Sequence, residues 1–403
     1  MNLLWGIIGI IVVLGIAYLL SNNRKAISAR TIFGGLAIQL IFAFVVLKWQ
    51  AGRAGLEWLS MRVQDIINFA NEGISFVFGA AADAENFGFV FAFQVLTIII
   101  FFSSLISVLY YLGIMQFFIK IIGGGLSRLL GTSKAESMSA AANIFVGQTE
   151  APLVVRPFIA NMTMSELFAV MTGGLASVAG SVLVGYALLG VPLEYLLAAS
   201  FMAAPAGLIM AKILLPETEK NENEEVDVEK DYDSVNVIDA AARGAADGLS
   251  LALNVGAMLL AFIALIALIN GILSAIGGLF GAENLTLEMI LGLIFSPIAF
   301  AVGVPWAEAV AAGSFIGQKL VLNEFVAYSA FAPEIPNLSG KTVMVVSFAL
   351  CGFANLSSMA ILLGGLGGLA PNRRSDIARL GIRAVAAGML ASLLSAAIAG
   401  MFY

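Results

Sequence analysis

The chain has 403 residues, of which 60% are hydrophobic and 11% charged, with a mean hydropathy of +0.99. This composition excludes a string of soluble domains and indicates an integral membrane protein. A net charge of −6 without a basic patch argues against nucleic-acid binding. The single cysteine excludes an intrachain disulfide, and the lack of histidine excludes histidine-based catalysis and metal ligation.

Apolar runs of the length that a bilayer requires predict an all-α protein with about eight spans. The first run is interpreted as a retained span and not a signal peptide, because it is long and no basic residue precedes it. In chain order the predicted spans are Leu3–Leu20, Thr31–Leu47, Phe87–Leu112, Met164–Leu189, Leu193–Leu215, Leu249–Leu273, Thr342–Leu366 and Leu380–Met401.

Three other segments do not fit simple spans. Ala54–Gly79 has charged and large apolar residues at helical spacing, which predicts an interfacial amphipathic helix. Ser133–Asn161 and Trp306–Pro336 are each about 30 residues long with a polar, turn-forming middle. Both are predicted to be re-entrant helical hairpins, since irregular backbone at membrane depth is tolerated only inside protein or beside water.

The two hairpin regions resemble each other, and a span rich in small residues follows each. The number of crossings between them places them on opposite faces, which predicts an inverted repeat of the kind found in secondary transporters. Clusters of Lys and Arg after the first span, before the first hairpin and before the last span predict that both termini lie outside the cell. The acidic segment Pro216–Asp233 is then a solvated cytoplasmic loop.

Glu150 and Glu324 are the strongest candidates for a binding site, because a carboxylate at membrane depth is costly unless it has a partner or lines a cavity. One interpretation pairs them with the basic residues Arg156 and Lys319. The other uses their polar neighbours, which suit a neutral, polyhydroxylated ligand with a heterocyclic edge. These neighbours are Gln148, Thr149 and Asn323.

Two further groups of polar residues leave alternatives open. Asn143 and Ser177 offer side-chain oxygens to a cation, but residue type alone favours Ser177 as a small packing residue. Phe353, Asn355 and Ser358 lie within one and a half turns and suit a ring and hydroxyl groups. Polar residues in a span also serve as contacts between helices.

Three motifs resemble the signatures of the concentrative nucleoside transporter family, in order and at similar spacing. They are Gly147-Gln148-Thr149-Glu150-Ala151-Pro152, Asn323-Glu324-Phe325-Val326-Ala327-Tyr328 and Cys351-Gly352-Phe353-Ala354-Asn355-Leu356-Ser357-Ser358. The resemblance runs from about Phe87 to the end of the chain. It implies a homotrimer in which a transport part moves like an elevator against a scaffold part.

The resemblance also implies roles for individual residues. Gln148, Thr149 and Glu150 would contact the base, and Val182 would pack near it. Glu324, Asn355 and Ser358 would hold the ribose, and Phe353 would line the pocket. The Asn143 and Ser177 side chains, with the Val146 and Val178 carbonyls, would bind sodium.

The sequence thus predicts a secondary active symporter that imports uridine- or adenosine-class nucleosides across the bacterial cytoplasmic membrane, driven by sodium. Proton coupling is the alternative. Sodium is expected as the coupling ion and no cofactor is expected, and an intramembrane enzyme or a passive channel is disfavoured. The expected division is 1–86 peripheral spans and interfacial helix, 87–132 scaffold and interfacial helices, 133–215 first hairpin and broken helix (transport repeat), 216–241 acidic cytoplasmic loop, 242–305 scaffold and interfacial helices, and 306–403 second hairpin and broken helix (transport repeat).

Overall fold

The computed structural model describes residues 2–82, 88–219, 234–281 and 285–403, and every regular element in these ranges is helical. Most of the acidic segment, and Phe87 at the predicted start of the third span, lie outside the described residues. In chain order the longer helices are α1 Asn2–Leu19, α2 Ala29–Ala43, α3 Gln50–Phe78, α4 Leu96–Tyr111, α5 Ile114–Leu130, α6 Lys134–Ala142, α7 Met164–Ala176, α8 Gly180–Leu188, α9 Leu193–Leu214, α10 Val237–Gly278, α11 Leu287–Ala301, α12 Trp306–Val321, α13 Glu324–Phe331, α14 Gly340–Leu350, α15 Ser358–Leu369 and α16 Arg374–Met401.

Seven helical segments within these ranges are long and apolar enough to cross a membrane, and they coincide with seven of the eight predicted spans. The bent pair α11 and α12, with 116° between the helices, raises the number to eight if the pair is taken as one span. The eighth predicted span, Thr342–Leu366, lies in the second repeat, for which a broken helix is expected. It is divided into α14 and α15 by the irregular segment Cys351–Ser357.

The predicted span Leu249–Leu273 is too short, because α10 begins twelve residues earlier and is 42 residues long. Asn236 caps its start by accepting a hydrogen bond from the Asp239 N–H at 2.9 Å. Small residues then let the helix lie close to α4: a Cβ on Gly244 would come within 2.7 Å of the Ser103 carbonyl oxygen. Hydropathy alone does not register such a cap or such a contact.

Both predicted hairpin regions contain a break, but their second arms differ. In the second region, Leu322 and Asn323 separate α12 from α13. In the first, α6 is followed by turns and by two short pieces, Ala151–Val155 and Arg156–Ile159. Each short piece has a proline at its start, which supplies no backbone N–H to a longer helix.

The most buried helices are α7, α8, α9 and α16, which form the centre of the molecule, whereas α1, α2, α4 and α10 expose most of their apolar surface. A buried ion pair joins two of the central elements. Lys212, near the end of α9, lies 2.6 Å from Glu136 in the first turn of α6 and donates to the Ser165 hydroxyl of α7 at 2.9 Å. This contact holds the start of the first hairpin and the start of α7 against α9.

Candidate functional site

The two irregular segments that interrupt helices meet at the centre of the molecule. The first, Ser177–Ala179, separates α7 from α8, and the second is Cys351–Ser357. The Phe353 N–H donates to the Ser177 carbonyl oxygen at 3.1 Å. A Cβ on Gly352 would lie 3.0 Å from the Ala176 carbonyl oxygen, so the two backbones approach more closely than any larger residue would allow.

Glu324 is fixed at this junction by the local structure of the second hairpin. The Asn323 side chain caps α13 by accepting from the Val326 N–H at 2.8 Å, which places Glu324 in the first turn. The Glu324 carboxylate accepts from the Tyr186 hydroxyl at 3.1 Å and from the Asn355 amide at 3.0 Å. Only 6% of Glu324 is exposed, and donors from α8 and from the second break therefore hold its charge.

Asn355 organises the second break around this carboxylate. Its side-chain oxygen accepts from the Ser357 hydroxyl at 2.7 Å and from the Ser358 N–H at 2.9 Å. The Ser358 hydroxyl in turn donates to the Phe353 carbonyl oxygen at 2.6 Å. The structure thus brings Glu324, Asn355 and Ser358 into one hydrogen-bonded group, with Phe353 on the same loop.

The first hairpin contributes Gln148, Thr149 and Glu150 from the turns that follow α6. Gln148 is buried against α7, since a Cβ on Gly174 would lie 2.8 Å from its Cβ, and its side-chain oxygen has no partner among the described residues. Thr149 faces α15, because a Cβ on Gly365 would lie 2.9 Å from its methyl group. These contacts place the first hairpin beside both interrupted helices.

Glu150 keeps an exposed side chain at the end of these turns. Its carboxylate lies beside Gly147, because a Cβ on Gly147 would come within 2.6 Å of a Glu150 carboxylate oxygen. No hydrogen bond or ion pair between the described residues joins it directly to Glu324. The two hairpins are connected instead through α7, α15 and the two breaks.

The predicted alternative pairs are not formed. Among the described residues no ion pair joins Glu150 to Arg156, which is exposed, and none joins Glu324 to Lys319. Lys319 is fully buried and donates to the Ala349 carbonyl oxygen at 2.8 Å and to the Ser392 hydroxyl at 3.0 Å. The interpretation of both glutamates as members of structural ion pairs is therefore wrong.

The predicted sodium ligands surround the first break. Asn143 donates its amide to the Ser139 carbonyl oxygen at 2.9 Å, while its own side-chain oxygen is buried without a partner in the described part of the chain. The Ser177 hydroxyl donates to the Gly173 carbonyl oxygen at 3.0 Å, which leaves its lone pairs available. The Val146 and Val178 carbonyl oxygens accept no hydrogen bond from the described residues. Neutral oxygens at the C-terminal end of a helix fit a sodium ion.

The described residues contain no cluster of three or more Asp, Glu, His or Cys side chains that could hold a metal. A divalent cation such as Ca²⁺ is usually bound with the help of several carboxylates, whereas a monovalent ion needs little negative charge. The neutral oxygen set around Asn143 therefore matches a monovalent cation.

Sequence reasoning missed Tyr186 and Ser357. Tyr186 lies one turn after Val182 on α8, is fully buried, and stacks on Tyr328 with ring centroids 4.3 Å apart. A tyrosine in an apolar span resembles ordinary core, and only its helical spacing from Val182 could have indicated a role. Ser357 lies inside the third motif, and its residue type alone indicates no separate role.

Three family models match successive parts of the chain. Their descriptions are "Na+ dependent nucleoside transporter N-terminus" for residues 8–81, "Nucleoside recognition" for residues 92–193, and "Na+ dependent nucleoside transporter C-terminus" for residues 195–400. Among curated relatives, the nucleoside permease NupC of Helicobacter pylori is 51% identical and aligns over 99% of this chain and 97% of that protein. Sodium/nucleoside cotransporter 2 of Rattus norvegicus is 40% identical over 98% of this chain, which spans 62% of that protein.

Solved structures of a similar protein also match this chain in fold and sequence. The structure of CNTnw in an inward-facing substrate-bound state is 58% identical in sequence, with a TM-score of 0.95. The match covers 100% of this chain and 98% of the CNTnw chain. A CNTnw variant in an outward-facing state is 57% identical with a TM-score of 0.96, at the same coverage.

Interrupted helices that gather polar side chains inside an apolar bundle define a helical membrane transporter. The chain belongs to the Na+-dependent nucleoside transporter family. Its relatives are transporters and permeases, so the protein is not an enzyme.

Proposed function

We propose that this protein is a sodium-driven symporter that imports nucleosides of the uridine or adenosine class across the bacterial cytoplasmic membrane. The observation that carries this proposal is the hydrogen-bonded group of Glu324, Asn355 and Ser358. It presents a carboxylate, an amide and a hydroxyl at one point, which is the donor and acceptor set that the hydroxyl groups of ribose need.

The base lies on the other side of the sugar in this proposal. Gln148, Thr149 and Glu150 contact its polar edge, directly or through water, and Val182 and Phe353 supply apolar surface. The unpartnered side-chain oxygen of Gln148 supports this role, because a buried acceptor gains from a donor on the ligand.

Sodium binds at the first break and prepares the site for nucleoside. Its ligands are the Asn143 and Ser177 side chains and the Val146 and Val178 carbonyls. The hydrogen bond from Phe353 to Ser177 supports coupling, because it joins this break to the loop that carries Asn355. An ion drives binding only if it favours the nucleoside-competent state, and the same coupling acts in both directions.

At the level of the whole molecule, we propose a homotrimer with both termini outside the cell. Residues 133–215 and 306–403 form the transport part, which shifts like an elevator against a scaffold formed by residues 87–132 and 242–305. Residues 1–86 are peripheral, and the acidic loop at 216–241 is cytoplasmic.

Uptake of radiolabelled uridine and adenosine into proteoliposomes tests the proposal, with sodium and pH gradients imposed separately. We expect accumulation above the external concentration when sodium is higher outside, and no accumulation from a pH gradient alone. Accumulation driven by pH and indifferent to sodium would establish the proton-coupled alternative. Equilibration without accumulation under either gradient would contradict symport.

A further inference from the structure

Lys319 is the least expected charge in the described structure. It lies in the last turn of α12, none of its surface is exposed, and no carboxylate in the described ranges lies within ion-pairing distance of its ammonium. An unpaired buried ammonium is costly unless the surroundings favour a positive charge.

The surroundings of Lys319 do favour positive charge. Its ammonium contacts the Ala349 carbonyl oxygen, which lies in the last turn of α14, where the helix dipole is negative. The Ser392 hydroxyl, its other acceptor, donates to the Cys351 carbonyl oxygen at 3.2 Å. The ammonium thus lies at the C-terminal end of the helix that precedes the second break.

The first break has the corresponding arrangement without a fixed charge. Asn143 follows the last turn of α6, as Lys319 lies in the last turn of α12. A Cβ on Gly173, in the last turn of α7, would lie 3.2 Å from the Asn143 amide nitrogen. Where the second break has an ammonium, the first has an unpartnered oxygen.

Each half of the molecule also carries one glutamate in its hairpin, Glu150 in the first and Glu324 in the second. The second half has a buried positive charge, Lys319, five residues before Glu324 in sequence, although no ion pair joins the two in the described structure. In the first half no ion pair joins Glu150 to a basic residue among the described residues, so the corresponding cation at Asn143 would come from solution.

We propose that Lys319 is a covalently attached substitute for a coupling ion at the second break, so that one sodium ion, at the first break, accompanies each nucleoside. This inference rests on the proposed sodium-coupled nucleoside binding and adds its stoichiometry. Lys319 is a positioning residue, since it acts on the nucleoside through the second break and through Glu324.

The test is the sodium dependence of uridine binding to the purified full-length protein, measured by calorimetry at constant ionic strength. The slope of log affinity against log sodium concentration counts the ions bound with nucleoside. We expect a slope of one for the unaltered protein. Lys319→Ala opens space beside the Ala349 carbonyl and should raise the slope to two, with at least tenfold weaker binding at low sodium that recovers at high sodium.

Lys319→Met removes the charge but fills the space, so the slope should stay at one with at least tenfold weaker uridine binding at every sodium concentration. Lys341→Met removes another buried lysine, whose ammonium contacts the Asn2 side chain at 3.1 Å, and should keep the unaltered affinity and slope. Lys319→Met also decides the question if Lys319→Ala does not fold.

A slope of one in Lys319→Ala, or unaltered uridine affinity in Lys319→Met, overturns the proposal. A slope of two in the unaltered protein overturns it too, while leaving sodium symport intact. Uridine binding that ignores sodium in the unaltered protein contradicts the proposed function instead, and the affinity of Lys319→Met then decides the role of Lys319 by itself.

Discussion

The Glu324 carboxylate is held by donors from two different helical segments, so its charge is part of the geometry of the site. In Glu324→Gln, the NH₂ group of the new amide would point at the Asn355 amide or the Tyr186 hydroxyl. Two hydrogen-bond donors would then face each other. A hydrogen bond to a charged group contributes about 1.5–3 kcal/mol, which corresponds to roughly 10- to 150-fold in affinity. We expect uridine binding by calorimetry to weaken by that factor, while the protein stays folded.

Glu334→Gln is the matched control for Glu324→Gln, because Glu334 is exposed and its carboxylate accepts a hydrogen bond from the nearby Asn337 amide at 3.1 Å. Its uridine affinity should equal that of the unaltered protein. Unaltered affinity in Glu324→Gln would remove Glu324 from the site.

The Tyr186 hydroxyl is a second residue-scale determinant. Tyr186→Phe keeps the stacking on Tyr328 but leaves one Glu324 oxygen without its donor. We expect about tenfold weaker uridine binding, the lower end of the range for hydrogen bonds to charged groups. Tyr195→Phe removes a hydroxyl from a ring that packs 6.4 Å from Phe348, and it should change the affinity less than twofold. Equal affinities in the two variants would contradict a role for the Tyr186 hydroxyl.

At the scale of elements, the two breaks depend on their close approach at Gly352. A Cβ there would meet the Ser392 hydroxyl at 2.8 Å and the Leu175 carbonyl oxygen at 3.1 Å. Gly352→Ala should therefore destabilise the protein by about 1–3 kcal/mol and weaken sodium and nucleoside binding together. Gly364→Ala, on α15 with open space around it, should be neutral or stabilising. Thermal unfolding in detergent, with calorimetry for binding, measures both effects.

The contact between Lys212 and Glu136 is the other element-scale feature. Removing one partner of a buried pair costs about 3–5 kcal/mol, because a charge stays buried without its partner. Lys212→Met should lower the thermal unfolding temperature in detergent, and the double variant with Glu136→Gln should recover part of the loss. Arg62→Gln breaks an exposed pair with Asp65, 2.7 Å apart, and should change stability by about 0–1 kcal/mol. An equal effect of Lys212→Met and Arg62→Gln would disprove the stabilising role of the buried pair.

At the scale of the whole molecule, the proposed elevator movement requires α8 to slide past α4. A Cβ on Gly185 would lie 3.2 Å from a methyl group of Val95, the residue before α4, so cysteine side chains at the two positions would be in contact. Oxidation of the Val95→Cys, Gly185→Cys protein should abolish uptake into proteoliposomes and leave uridine binding in detergent. Reduction should restore uptake. The natural Cys351 is buried and should not interfere.

The control for this cross-link joins two elements within the proposed transport part. A Cβ on Gly400 would lie 2.8 Å from a Val345 methyl group, which connects α16 to α14. Oxidised Val345→Cys, Gly400→Cys protein should retain uptake. Full uptake by the oxidised Val95–Gly185 pair would exclude sliding between α4 and α8.

Much of the fold could be predicted from the sequence because apolar length is a direct consequence of the bilayer. Seven spans follow from it. Apolar length does not place the break inside Thr342–Leu366, because this segment is as apolar and rich in small residues as a continuous helix. The expectation of a broken helix in each repeat comes instead from the likeness to secondary transporters. The break is stabilised by contacts from elsewhere in the chain, such as the Leu356 N–H donating to the Leu320 carbonyl oxygen at 3.1 Å.

The candidate site, too, could be predicted only in part from the sequence. Glu324 and Asn355 could be predicted, because polar residues in apolar surroundings are visible in the sequence. Tyr186 could not, since its importance comes only from the position of its hydroxyl beside Glu324. The position of the Lys319 ammonium could not be predicted either: sequence proximity to Glu324 offered an ion pair only as an alternative interpretation, and the fold directs the ammonium to the end of α14.

The hydrogen bond between Phe353 and Ser177 has a consequence for how information passes between the two proposed sites. This single hydrogen bond joins Ser177, a proposed sodium ligand, directly to the loop that is proposed to hold the sugar. Coupling between sodium binding and nucleoside binding therefore requires no long chain of side-chain contacts. Few substitutions far from this hydrogen bond should abolish the coupling. The affinity for nucleoside would then depend directly on whether sodium occupies the first break.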